Sequence, residues 1–342
     1  MVLPGGVQRS RSSRVVERSR VNLSGRGPPV ERRPTVGGMA RTLLPAQTCR
    51  IRVHDLATGT AQTVFESDSV LVEAPNWSPD GSFLVVNGEG GLFRLPLEGP
   101  EAGVLQAIPL DGVPAELNND HVLAPEGGTG YVSARDGHLY AVALDGSAPA
   151  RRLTTERPGA RFKHYLHGVS PDGSLLALIG GGEDSSGRWT TNVFTMAAQG
   201  GPLTALTDDS FPDDGVDVAA DGETLYFNSE RGSGTAQLFR MGRDGSGLAR
   251  VVVSDTVDWF PHVSPDGAHL LYLAYPPGTP GHPENLPVEL RLLDLADREP
   301  GSTAPGRVVQ TLFGGQGTTN VSGWAPDSSR FAYADYPLPE HR

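Results

Sequence analysis

Cysteine occurs once, at Cys49, so no internal disulfide can form and cysteine usage says nothing about the compartment. Lysine also occurs once, at Lys163, a usage bias typical of a GC-rich genome rather than a chemical feature. No apolar run near the N-terminus reaches the length of a signal-peptide core, and none anywhere is long enough to span a bilayer. A cytoplasmic location is therefore expected, or a periplasmic one if the chain start is misassigned. Long stretches with a 3.6-residue apolar period are missing as well, which argues against a helical protein. No Gly-x-Ser-x-Gly elbow and no His-Glu-x-x-His occurs, so no linear catalytic signature is present.

What is plentiful is Gly (44) and Pro (29), about one turn former in five residues, which favours an all-β fold. The charge is divided unevenly. Up to Arg41 there are nine Arg against Glu17 and Glu31, which leaves 19 basic and 38 acidic residues for the rest. An acidic body repels phosphate backbones, so nucleic acid is not an expected partner. Residues 1–40 are rich in Arg, Pro and Gly and poor in apolar residues. They are expected to be a disordered extension, or an overlong start with Met39 as the initiator. Residues 41–342 then form one domain.

The stretch Asp258 to Leu273, DWFPHVSPDGAHLLYL, sets the pattern for that domain. A polar or aromatic lead-in enters a short apolar strand, a Ser-Pro-Asp-Gly turn follows, and a second apolar strand leaves it. Pro fixes the first corner, Asp bonds its own backbone and Gly supplies positive φ. Aligned on the turn carboxylate, copies stand at Asp80, Glu126, Asp172, Asp221, Asp266 and Asp327, with spacings of 46, 46, 49, 45 and 61 residues. A period near 45 with about four short strands per unit is the signature of a propeller blade, whose sheet must pack against neighbours around an axis. The expected fold is a six-bladed β-propeller of four-stranded antiparallel blades. Thr48 to Phe65 reads as the outer half of a blade, and Ser322 to Tyr336 as its inner half, so the chain ends should share one sheet and close the ring.

These Ser-Pro-Asp-Gly hairpins, with strings such as DGSGLARVVV and DWFPHVSPDG, resemble the TolB-like propellers, whose repeat is related to the WD type. The resemblance covers about residues 48–336. It implies the fold and not the activity, since propellers of this kind serve as scaffolds, receptors and enzymes alike; repeats that fill the chain and the lack of a linear catalytic motif favour a scaffold or binding protein. The signal peptide and N-terminal α/β domain of TolB are not visible, so a Tol-type periplasmic role is not expected.

A four-stranded meander puts the lead-ins and the second-to-third strand loops on one face, and the first strands line the central channel. The lead-ins are unusually polar: Asn118, Asn119, Asp120 and His121; His164 and His167; Asp213, Asp214 and Asp217; Asp258 and His262; Thr318, Thr319 and Asn320. The loops add Glu89, Glu183, Asn228, Glu230, His282 and Glu284. The expected ligand site therefore comprises Asn118, Asn119, Asp120, His121, His164, His167, Asp213, Asp214, Asp217, Glu230, His262, His282 and Asn320 at the channel mouth. A divalent metal ion is the one cofactor these residue types suggest, with His121, His167, His262 and Asp214 as ligands. The competing reading is a water-filled channel whose polar groups are satisfied structurally. Small molecules, glycans or a protein are the expected partners, and a metal-assisted carbohydrate lyase or hydrolase is the alternative function.

Three further features have simpler readings. Trp77, Trp259 and Trp324 are expected to pack between blades, although a ring ligand could stack on one. The insert Tyr275 to Pro287 is too rich in Pro for a strand ladder and is expected to be a surface loop or a lid over the mouth. FGGQGTTN, Phe313 to Asn320, lacks the Lys and helix of a phosphate loop and reads as a tight connection between blades.

Overall fold

In five of the six repeats the turn is closed by its own Asp carboxylate. Ser78 Oγ donates to Asp80 Oδ1 at 2.7 Å, the same oxygen accepts the Ser82 amide at 3.0 Å, and Gly81 takes φ 77°. Ser170, Asp172 and Ser174 repeat the arrangement, as do Ser264, Asp266 and the Ala268 amide. The turn fixes which residues face each other across the hairpin, and so the register of the two strands that flank it.

The computed structural model describes residues 41–156, 161–183, 187–296, 298–299 and 301–339. The extension expected over residues 1–40 lies outside the described residues. Five sheets are four-stranded meanders, with first strands Glu73–Trp77, Leu117–Leu123, Phe162–Val169, Asp213–Val218 and Val257–Val263. We number these blades 1 to 5. The sixth sheet orders Thr60–Ser67, Cys49–Asp55 and Arg330–Asp335, so the two ends of the chain share one blade as expected. Its innermost strand is reduced to a single bridge, Trp324 to Phe331, where a full fourth strand had been expected.

Six apolar clusters hold the ring, one at each seam between neighbouring blades. Ile51, Trp77 and Leu84 join blades 6 and 1; Leu178, Leu139 and Met196 join 2 and 3; Trp259, Trp324 and Tyr333 join 5 and 6. The other three seams are filled in the same way. Each sheet buries both faces only because it has two neighbours, which makes the closed ring the stable unit. Trp77, Trp259 and Trp324 thus pack between blades, each about 5% exposed.

The insert of blade 5 is more regular than its Pro content suggested. Its last residues belong to the strand Glu284–Asp294, in which Glu284 pairs with Gly315 and Pro287 with Phe313. A bulge between Glu284 and Leu286, with Asn285 at φ 62°, absorbs the irregularity and lets Pro sit within the ladder.

Candidate functional site

All five complete blades break their first strand within the same short stretch before the turn. The register shifts between Glu73 and Asn76, Leu117 and His121, Leu166 and Gly168, Asp214 and Asp217, and Trp259 and His262. A bulge interrupts the alternation of side chains and re-aims the residues before it. Three bulges hold a residue at positive φ: Ala74 (53°), Gly215 (59°) and Phe260 (54°), each six positions before its turn Asp. Seven positions before the turn carboxylate stand Asn119, Tyr165, Asp214 and Asn320, and all four line one cavity at the channel mouth.

That cavity has a volume of about 330 Å³ and is also bounded by Asn118, Asp120, His167, Trp189, Phe260, His282 and Gln316. Its centre is Asp214. His167 Nε2 lies 3.1 Å from Asp214 Oδ1, and His282 Nε2 lies 3.5 Å from Asp214 Oδ2. The far nitrogens are held too: His167 Nδ1 is 3.0 Å from the Asn320 carbonyl, and His282 Nδ1 pairs with Gln316 Oε1. Gln316 Nε2 donates in turn to Asn119 Oδ1 at 3.2 Å, so residues from four blades and one blade connection form a single network. Trp259 and Phe260 pack edge-on against the His282 ring.

The protonation pattern follows from this geometry. Burial alone would lower the His167 imidazole, but the Asp120 and Asp214 carboxylates and the Asn320 carbonyl outweigh it and raise it to about 9. His282 is raised by Asp214 and Gln316 against the same opposing burial. Burial pushes Asp214 up, yet the two imidazoles hold it far below the usual carboxylate range. Asp120 is raised, chiefly by burial. The mouth therefore presents two imidazoles biased toward the protonated form, facing the Asp214 and Asp120 carboxyl groups and rimmed by the amides of Asn118, Asn119 and Gln316.

Of the expected site residues, Asn118, Asn119, Asp120, His167, Asp214, His282 and Asn320 are brought together. The others serve the scaffold or lie elsewhere. His121 Nε2 contacts the Val85 carbonyl at 3.3 Å, and burial lowers its imidazole to about 4. His262 is fully buried between the Thr319 carbonyl, 2.8 Å from Nε2, and Asp217, 3.5 Å from Nδ1. Asp217 also accepts the Val263 amide at 3.1 Å and so ties blade 4 to blade 5. Asp213 is spent on Arg231 at 2.8 Å and on Thr207 at 2.7 Å. His164 borders a neighbouring cavity and contacts the Gly137 carbonyl at 2.6 Å. Glu230 lies outside the mouth cavity, its amide bonded to the Pro212 carbonyl.

Several residues at the mouth escaped the sequence reading: Tyr165, Trp189, Phe260, Gln316 and Arg41. Arg41, counted above with the basic extension, sits beside the cavity. Its guanidinium donates to Glu73 at 3.1 Å, to the Gln316 carbonyl at 2.6 Å and to Asn285 at 3.1 Å, and lies 4.1 Å over the Tyr336 ring. The stretch FGGQGTTN is the expected blade connection, and it also delivers Gln316 to the mouth. The shared repeat position of Asn119, Tyr165, Asp214 and Asn320 was the available signal for Tyr165.

The chain is 34% identical over 294 residues to an uncharacterized protein of Agrobacterium fabrum, covering 84% of this chain and 92% of that protein. A solved structure from Agrobacterium tumefaciens assigned to TolB matches with a TM-score of 0.74 at 32% identity, over 86% of this chain and 100% of that one. The chain belongs to the TolB-like six-bladed β-propellers. No family model matches this TolB-like chain. An oligogalacturonate lyase in complex with manganese shares the TolB-like ring at a TM-score of 0.52 and 15% identity, over 76% of this chain and 72% of that one, which is a likeness of fold.

A manganese ion of the kind held by that lyase does not fit the donors seen here. Both Asp214 oxygens face imidazole nitrogens, and among the described residues no three His, Cys, Asp or Glu side chains are grouped to hold an ion. Of the four expected ligands, His167 and Asp214 meet, while His121 and His262 are engaged by backbone carbonyls. No helix among the described residues is long and apolar enough to cross a membrane.

Proposed function

We propose that this TolB-like propeller is a binding protein that holds a polar ligand at the channel mouth, against His167, Asp214 and His282. The observation that carries the reading is the network itself. Two imidazoles and a carboxylate from separate blades converge in a cavity of about 330 Å³, ringed by amides that can donate and accept. Small-molecule sites characteristically combine such a concave space with a few convergent polar groups and perturbed titrations. The ligand is a small molecule, a glycan, or the tip of a protein partner, with glycans first because a fold neighbour is named as a lyase of an oligogalacturonate.

The test is a thermal-shift screen of sugars, sugar acids and divalent ions, followed by the double variant His167→Ala with His282→Ala. The parent should be stabilised by its ligand, and the double variant should stay folded yet lose that stabilisation. Equal stabilisation of both would place the site elsewhere. Stoichiometric metal in the purified protein, with a fall in Tm on chelation, would favour the lyase alternative.

A further inference from the structure

Three of the four Trp side chains are about 5% exposed and pack between blades, whereas Trp189 is 39% exposed. Its position is built by three consecutive glycines. In the hairpin of Leu175–Glu183 and Trp189–Ala197, Gly181 pairs with Thr191 and Ile179 with Val193 on one face, while Gly180 and Gly182 face the other way. The first face lines the mouth cavity through Ile179, Thr191 and Trp189. The indole folds back over Gly181, where an added Cβ would come within 2.6 Å of Trp189 Cζ2. The opposite face is used in the same way, since Phe162 and Phe194 cover Gly180. The glycines thus let the indole lie against the sheet at the rim of the site, although exposing it forgoes the burial the other Trp side chains have.

The indole also bounds a second cavity of about 250 Å³, lined by Asp136, His138, Glu156, Lys163 and His164. Trp189 is therefore a wall between two adjoining polar spaces. A flat apolar surface flanked by amides, imidazoles and carboxylates matches a ligand with an apolar ring face and hydroxyl edges.

We propose that Trp189 is a stacking platform dividing the mouth into two subsites, and that the ligand is an oligosaccharide of at least two rings. The inference rests on the mouth-site reading above and adds to it the class and minimum length of the ligand. One ring occupies the cavity of Asp214, the next crosses the indole, and the chain continues toward Lys163.

The probes are galacturonic acid, its dimer and its trimer, with the matching neutral galactose series, titrated while tryptophan fluorescence is recorded. In at least one series the dimer should bind ten-fold or more tightly than the monomer and shield Trp189 from acrylamide. Trp189→Ala should reduce dimer affinity to that of the monomer, and Trp189→Phe should retain most of the gain. Gly181→Val, which drives the indole off its seat, should act like Trp189→Ala, with an unchanged melting profile confirming that either variant is folded. A dimer bound no better than the monomer, a Trp189→Ala variant that binds as the parent does, or no binding in either series would overturn the inference and leave the mouth site standing. Sugar binding that survives His167→Ala with His282→Ala would instead overturn the mouth-site reading.

Discussion

His167 Nε2 stands 3.1 Å from Asp214 Oδ1, and the two residues come from the first strands of neighbouring blades. The pair couples the seam of the ring to the chemistry of its opening, because whatever moves one blade against the other changes the charge state of the imidazole.

The first expected outcome concerns that charge. His167 is raised to about 9, above its ordinary value of 6.5, so its pairing contributes stability in full below about pH 6.5 and loses it as pH rises through about 9. In Asp214→Asn the His167 imidazole should titrate lower, though not at its ordinary value, because Asp120 still acts on it. Histidine NMR titration of parent and variant measures this directly. An unmoved His167 would show that Asp214 does not set it.

The acid limb has a different origin. Hydrogen bonds from the Ser82 amide and the Ser78 and Ser82 hydroxyls hold Asp80 at about 2, and those from Ser170 and Ser174 hold Asp172 at about 2. A depressed carboxylate contributes stability above its unfolded value near 3.9 and loses it as pH falls through the folded value. Stability should therefore drop between about pH 4 and pH 2, and Asp80→Asn with Asp172→Asn should flatten that limb in pH-dependent urea melts.

Gly215 lies within the bulge that aims Asp214. At φ 59°, an added Cβ would meet Asn228 Oδ1 at 2.7 Å and Phe260 Cδ1 at 2.9 Å. Gly215→Ala should cost about 2 kcal/mol through left-handed strain and the clash. It should also lower the His167 titration by displacing its partner. A variant as stable as the parent, with His167 unmoved, would mean the bulge does not position the site.

Arg41 and Glu73 are each only 11% exposed at the side chain. Arg41→Ala leaves the Glu73 carboxylate without its guanidinium, and the loss should be about 3 kcal/mol in equilibrium unfolding, the lower end of what breaking a buried pair costs. The variant also frees the Gln316 carbonyl, so ligand binding at the mouth should weaken along with stability. Arg41→Lys should recover less than half of both, because an ammonium cannot span Glu73, Gln316 and Asn285 at once.

How much was legible beforehand differs between fold and site. The ring was readable because its turns are local: the five Asp carboxylates bond residues two positions away, so Ser-Pro-Asp-Gly is enough to declare a hairpin. The polar lead-ins were readable as a set, and seven of the thirteen expected ligand residues do meet at the mouth. The choice among the histidines was not. His121, His167 and His262 look alike in the repeat and all three contact a backbone carbonyl, yet only His167 also reaches the cavity and Asp214.

By itself the sequence determined the number of blades, the closure of the ring by both chain ends and the polar face, since turn chemistry and repeat period act over a few residues. Tertiary structure alone decided that Asp214 would meet His167 and His282, that Arg41 would lock beside Gln316, and that Trp189 would lie open on Gly181. The first two sets of contacts join residues far apart in the chain, and the third depends on how the indole folds back over its own hairpin. Their distances depend on how each bulge tilts its strand and how neighbouring blades pack, which no local pattern encodes.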